Sequence, residues 1–317
     1  MTRGVWASSQ VVEADNVGHS SSEPNTTILK PRARGKHLDR PWHLTYLRNQ
    51  GHGTSDQKAA LRDLWQEYGV DVVTYRVADD DDLRSSEDSS EDVNPKNGQS
   101  KRRALPRRLN FQALFPSHPG DAPVALEIGF GLGDSLIAMA RNNPHTRFLG
   151  VEVHKPGVGA CLLKVKNADV NNVRLIKMDA LWLLRDFVPE NSLTDVMVYF
   201  PDPWSDSAKH RRIVNPFLLK LCQLKMKKGS GLTENTDEKH KPPRLHVSTD
   251  DESYAIHVEE LFAEAVESGS WRTVPVDGNS PNYGLNIMPG RLQLSKYELK
   301  GSNEGRDARD FCIELKS

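Results

Sequence analysis

The segment Glu127-Ile128-Gly129-Phe130-Gly131-Leu132-Gly133-Asp134 constrains the fold more than any other stretch of the chain. It follows an apolar run, Val124–Ile128, and leads into a helical one, so three alternating glycines fall where a strand turns into a helix. Glycines at such a turn let backbone approach a ligand closely and bring a helix N-terminus to bear on it. The spacing is E-x-G-x-G-x-G. A dinucleotide fingerprint would be G-x-G-x-x-G, and Asp134 stands where its third glycine belongs.

Downstream, strands alternate with helices. Strands are expected at 124–128, 148–153, 173–178, 196–200, 245–248, 271–276 and 311–315, and helices at 134–141, 157–168, 180–187, 216–225 and 254–267. That order predicts an α/β, Rossmann-like, mostly parallel seven-stranded sheet with helices on both faces and right-handed crossovers. The last strand follows its neighbour without a helix between them, so it should run antiparallel.

The rest of the chain is less regular. With 317 residues, 37% hydrophobic content and a mean hydropathy of −0.60, part of it should lie outside any packed core. Residues 1–38 read as a disordered tail, 39–76 as an N-terminal helical extension, 77–104 as an acidic disordered linker, and 105–317 as the α/β domain with a loop insertion at 228–243. Within the extension, a helix over Gln57–Tyr68 places Leu61, Leu64, Trp65 and Tyr68 on one face. The formal charge is −1, but residues 79–92 alone hold eight acids against one arginine. The remainder therefore carries a basic excess compatible with a polyanionic partner. No apolar run is long enough for a transmembrane helix, and the N-terminus lacks the apolar core of a signal peptide. Cys161, Cys222 and Cys312 form no paired motif, so a reducing cytoplasm is expected.

The strand ends carry the chemistry. The glycine loop, with Gly129, Gly131 and Gly133, is of the kind that S-adenosylmethionine (AdoMet) enzymes use, its leading Glu127 facing the amino-acid end of the cofactor. Glu152 ends the second strand, where a carboxylate can accept both hydroxyls of an adenosine ribose. Asp179, followed by the small Ala180, ends the third and can bond an adenine amino group. The fourth runs into Pro201-Asp202-Pro203-Trp204, where two prolines hold one carboxylate rigidly at the sheet edge. Beyond it, Lys209-His210-Arg211-Arg212 is a compact basic run suited to phosphates. His154 receives no role. NAD would suit Glu152 equally well, but a dehydrogenase has no need of Asp179.

The set EIGFGLG, GVEVHKPGVG, FPDPW…KHRRIV, STD and SKYE, with LRNQGHGTSDQ upstream, resembles the bacterial tRNA (guanine-N7)-methyltransferase family over residues 40–76 and 105–317. The resemblance implies AdoMet as cofactor and tRNA as partner, with a guanine in the variable loop as target. It implies cofactor contacts from Glu127, Glu152, Asp179 and Asp202, with Asp202 central to catalysis. It also implies guanine or tRNA contacts from Asp250 and from Ser295, Lys296, Tyr297 and Glu298, and none from a metal or a membrane. Three departures stand out, one being the added acidic linker and 228–243 loop, which have no assigned role. Ser205-Asp206-Ser207 replaces the family's lysine after the Pro-Asp-Pro-Trp turn, leaving Lys209 as its substitute, and His52-Gly53 replaces an upstream arginine. A monomer is favoured. The alternatives are a methyltransferase acting on an exocyclic amine, or an RNA-binding protein of the same fold that has lost transfer.

Overall fold

The computed structural model describes residues 52–72, 74–76, 104–106, 108–228, 242–274, 300–301 and 303–316. The tail expected at 1–38, most of the acidic linker, most of the 228–243 loop and the Ser295–Glu298 segment lie outside them.

The helices are α1 (Ser55–Asp63), α2 (Trp65–Tyr68), α3 (Phe111–Leu114), α4 (Asp134–Asn142), α5 (Lys155–Ala168), α6 (Ala180–Trp182), α7 (Pro216–Lys225) and α8 (Glu252–Glu267). The strands are β1 (Thr74–Arg76), β2 (Ala104–Pro106), β3 (Val124–Ile128), β4 (Arg147–Val151), β5 (Val173–Ile176), β6 (Asp195–Tyr199), β7 (Arg244–Thr249), β8 (Trp271–Thr273) and β9 (Arg309–Leu315). A π-helical turn, Leu183–Phe187, continues α6, and a 3-10 helix spans Asp206–Arg211.

β3 to β9 form one seven-stranded sheet in the order β5-β4-β3-β6-β7-β9-β8. The five strands β3 to β7 are parallel, and β9 inserts between β7 and β8, antiparallel to both. The expected architecture is borne out, including the antiparallel last strand.

The period-two alternation of the strands divides the core. Val124, Leu126 and Ile128 of β3, Leu149 and Val151 of β4, and Val196 and Val198 of β6 enter one cluster. Ala125, Phe148 and Met197 enter the other, on the opposite face, with Val158, Cys161 and Leu162 of α5. Burial on both faces makes these strands apolar throughout, as in other parallel sheets.

The N-terminal extension packs on the second cluster. Leu61, Leu64, Trp65 and Tyr68 all lie against it, as the helical face required. The single helix expected over 57–68 is instead two, broken at Leu64 (φ −103°). α1 starts in a full capping box between Thr54 and Gln57 and packs on α5. The contact is close: a Cβ on Gly159 would lie 2.5 Å from the carbonyl oxygen of Gln57. β1 and β2 pair antiparallel, Arg76 opposite Ala104, so the acidic segment leaves and rejoins the chain at one place. Ala104, the last residue expected in the linker, thus belongs to a strand.

Strand order reverses between β3 and β6, and in an open α/β sheet the crevice beyond the carboxyl ends at that point is where ligands bind.

Candidate active site

The glycine loop leaves β3 at this reversal. Gly129, Gly131 and Gly133 have φ of +74°, +56° and +80°, values that L side chains rarely adopt. Two of them do different work. A Cβ on Gly133 would lie 2.2 Å from the Cys161 Sγ, so this glycine lets α4 close on α5. A Cβ on Gly129 would meet nothing within 4 Å, so it would project into open space.

Glu127 is buried at 2% exposure and shares the strand face of Ala125. Glu152, just past β4, is tied to the loop: its Oε2 accepts from the Gly131 amide at 3.0 Å. Its Oε1 accepts from the amides of Val153 at 2.7 Å and His154 at 2.9 Å. Three backbone donors orient this carboxylate before any ligand arrives. Asp179 follows β5, caps α6 by accepting from the Trp182 amide at 3.0 Å, and precedes the buried Ala180. His154, which had no assigned role, is the N-cap of α5, its Nδ1 accepting from the Gly157 amide.

β6 lies beside β3 in register, Ile128 opposite Val198, so the Pro-Asp-Pro-Trp turn leaves the sheet next to the glycine loop. Phe200 and Trp204, which bracket that turn, both have φ of +49°. Left-handed backbone at an aromatic residue costs on the order of 1–3 kcal/mol and persists only where surrounding structure imposes it. The Phe200 amide donates to Ser248 O at 2.8 Å, pinning one end to β7. Asp202 stands exposed at the apex.

Asp250 follows β7. Arg306 grips it, Nε and Nη2 each 2.9 Å from Oδ2, and Gly301 packs so closely that a Cβ there would lie 2.6 Å from the same oxygen. Nothing in the sequence marked Arg306, which sits among polar and glycine residues without periodicity.

The basic run divides. Lys209 and Arg211 are exposed on the 3-10 helix, with the Arg211 guanidinium 5.0 Å from the centre of the Trp204 ring. Arg212 departs from the expected phosphate contact: it is 3% exposed and turned inward. Its donors go to the carbonyls of Pro203 (2.8 Å), Trp204 (3.2 Å) and Ser253 (3.2 Å) and to Ser253 Oγ (2.8 Å).

The parallel strands thus deliver Glu127, Glu152, Asp179, Asp202 and Asp250 to one edge of the sheet, together with a loop whose backbone leaves room for a ligand. An adenosine diol, an amino group and a sulfonium all call for acceptors and negative charge, so the donor set fits AdoMet. Among the described residues there is no cluster of His, Cys, Asp and Glu suited to a metal ion, and no helix is long and apolar enough to cross a membrane.

A family model described as "Putative methyltransferase" matches residues 121–309. A tRNA (guanine-N(7)-)-methyltransferase of Psychromonas ingrahamii is 31% identical over 93% of this chain and 97% of its own. The enzyme of that name from Yersinia enterocolitica is 33% identical over 86% and 91%. The one from Shewanella amazonensis is 36% identical over 66% and 78%.

Proposed function

Because the chain belongs to the tRNA (guanine-N7)-methyltransferase family, we propose that it transfers a methyl group from AdoMet to N7 of a guanine in tRNA. The observation that carries this reading is the strained turn that presents Asp202 beside the glycine loop.

Guanine N7 has an in-plane lone pair and no proton, so its methylation needs no general base. Bound AdoMet supplies an electrophilic methyl on a sulfonium. The N7 lone pair forms the new C–N bond as the C–S bond breaks, and positive charge passes to the purine. Orientation and negative potential are what the protein must provide. In this reading Glu127 receives the amino-acid end of the cofactor, Glu152 its ribose hydroxyls, and Asp179 its adenine amino group. Gly129, Gly131, Gly133 and Ala180 leave room for it.

Asp202 faces the developing cation, a preorganised contact worth about 2–4 kcal/mol of barrier. Asp250 accepts the guanine N1 and N2 hydrogens together with Glu298, and Ser295, Lys296 and Tyr297 complete that grip. Lys209 and Arg211 meet the tRNA backbone. The enzyme works as a cytoplasmic monomer, a reading supported by three buried free thiols and by Ile256 being the large apolar side chain left exposed among the described residues. Methyl-labelled AdoMet, unmodified tRNA and nucleoside chromatography test the assignment. Label in 7-methylguanosine is expected, and label in any other nucleoside would refute it.

A further inference from the structure

The turn that carries Asp202 is tied to the elements on either side of it. Pro201 and Pro203 bring no amide donor, and both flanking aromatics sit at positive φ. Its upstream end is fixed by the Phe200 amide on Ser248 O. Its downstream end is held by the Arg212 side chain, whose Nε and Nη2 take the carbonyls of Pro203 and Trp204. In the first turn of α8, Nη1 of the same guanidinium takes the Ser253 carbonyl, and Nη2 also reaches the Ser253 hydroxyl. α8 begins two residues after Asp250, with Asp251 between them as its N-cap.

Arg212 is itself held from three sides. Its amide donates to Lys209 O, its carbonyl accepts from Asn215 Nδ2 at 2.9 Å, and its guanidinium lies 5.2 Å from the centre of the buried Tyr254 ring. Burying a cation is costly unless its donors are satisfied. The ion pair with exposed Asp206 spans 3.9 Å, so the donors are met chiefly by backbone carbonyls. A guanidinium so placed reads the course of the chain, and its planar fork meets several acceptors at once where an ammonium meets one.

We propose that Arg212 is a positioning residue: a buried strut between the Pro-Asp-Pro-Trp turn and the start of α8 that sets the Asp202 carboxylate relative to Asp250. This rests on the methyl-transfer reading above, and it replaces a phosphate contact with a role inside the protein.

Arg212→Lys keeps the charge and most of the stem but cannot reach both ends of the strut. It should bind AdoMet as the wild type does and keep its tRNA KM, while kcat falls by ~10²-fold, the scale expected for an ångström of misplacement. Hydrogen exchange over residues 200–206 should quicken, with β3 to β5 unchanged. In Arg212→Ala, added guanidinium ion should restore part of the lost turnover. An Arg212→Lys enzyme with wild-type kcat and unchanged exchange would overturn the proposal. So would a variant whose melting temperature and AdoMet affinity collapse along with turnover, since the residue would then serve the fold alone. A failure of the transfer reading would look different: the wild type itself would leave tRNA unmethylated, and exchange over 200–206 would still judge the strut.

Discussion

The Arg306 guanidinium sits on the Asp250 carboxylate, Nε and Nη2 both 2.9 Å from Oδ2, while the Arg306 amide donates to Gly301 O at 2.8 Å. The pair joins the segment before β9 to the turn after β7 and holds one side of the proposed guanine site in place.

If Asp250 accepts from guanine, Asp250→Asn should lower kcat/KM for tRNA by ~10²-fold, because a carboxylate accepting two donors is replaced by a group that presents one of its own. Arg306→Ala removes only a half-exposed partner, so a loss nearer ~3- to 10-fold is expected. Calorimetry should find AdoMet affinity unchanged in both. Weakened cofactor binding with normal tRNA kinetics would move Asp250 to the cofactor side of the site.

The two glycines with contrasting surroundings separate folding from binding. Gly133→Ala forces a Cβ to within 2.2 Å of the Cys161 Sγ at φ +80°, so it should melt well below the wild type. Gly129→Ala meets open space and pays only for its φ, roughly 1–2 kcal/mol, yet its methyl group points where the cofactor is expected. It should fold and lose AdoMet affinity by at least ~10-fold. Wild-type affinity in Gly129→Ala would place the cofactor elsewhere.

The architecture was legible because its signals are local. Apolar runs of four to six residues, separated by helices and ending in Gly129, Glu152, Asp179 and Asp202, announce parallel strands and their carboxyl edge. The site's supporting contacts were not. Arg212 reads as one of four basic residues in a surface run, and only the path of the chain through the turn and α8 shows that it faces inward. Arg306 lies 56 residues from Asp250, a separation that no periodicity spans. The break at Leu64 was equally hidden, because the apolar spacing continues through it.

One buried group gives the stability a pH signature. His246 on β7 is 2% exposed; burial opposes its charge, but Cys312 and Asp195, whose Oδ1 lies 3.0 Å from Nε2, hold its pKa up at about 10. A base whose folded pKa is raised contributes stability that is full below its ordinary value of 6.5 and is lost as pH climbs to about 10. Melting curves across that window should fall more steeply for the wild type than for His246→Gln. Parallel curves would mean that the imidazole is neutral in the fold.

Asp202→Asn should bind AdoMet within about tenfold of the wild type while kcat drops by ~10²-fold or more, because the carboxylate acts on charge that develops in transfer. Titration calorimetry beside turnover at saturating tRNA checks it; collapsed affinity with normal turnover would make Asp202 a binding residue only.

Transfer to N7 can be tested on the acceptor atom itself. A tRNA transcript made with 7-deazaguanosine keeps every exocyclic amine and the Watson–Crick edge but has carbon in place of N7. Such a transcript should compete with ordinary tRNA for the enzyme and accept no label from methyl-labelled AdoMet. Label transferred to the deaza transcript at the rate seen with ordinary tRNA would contradict transfer to N7.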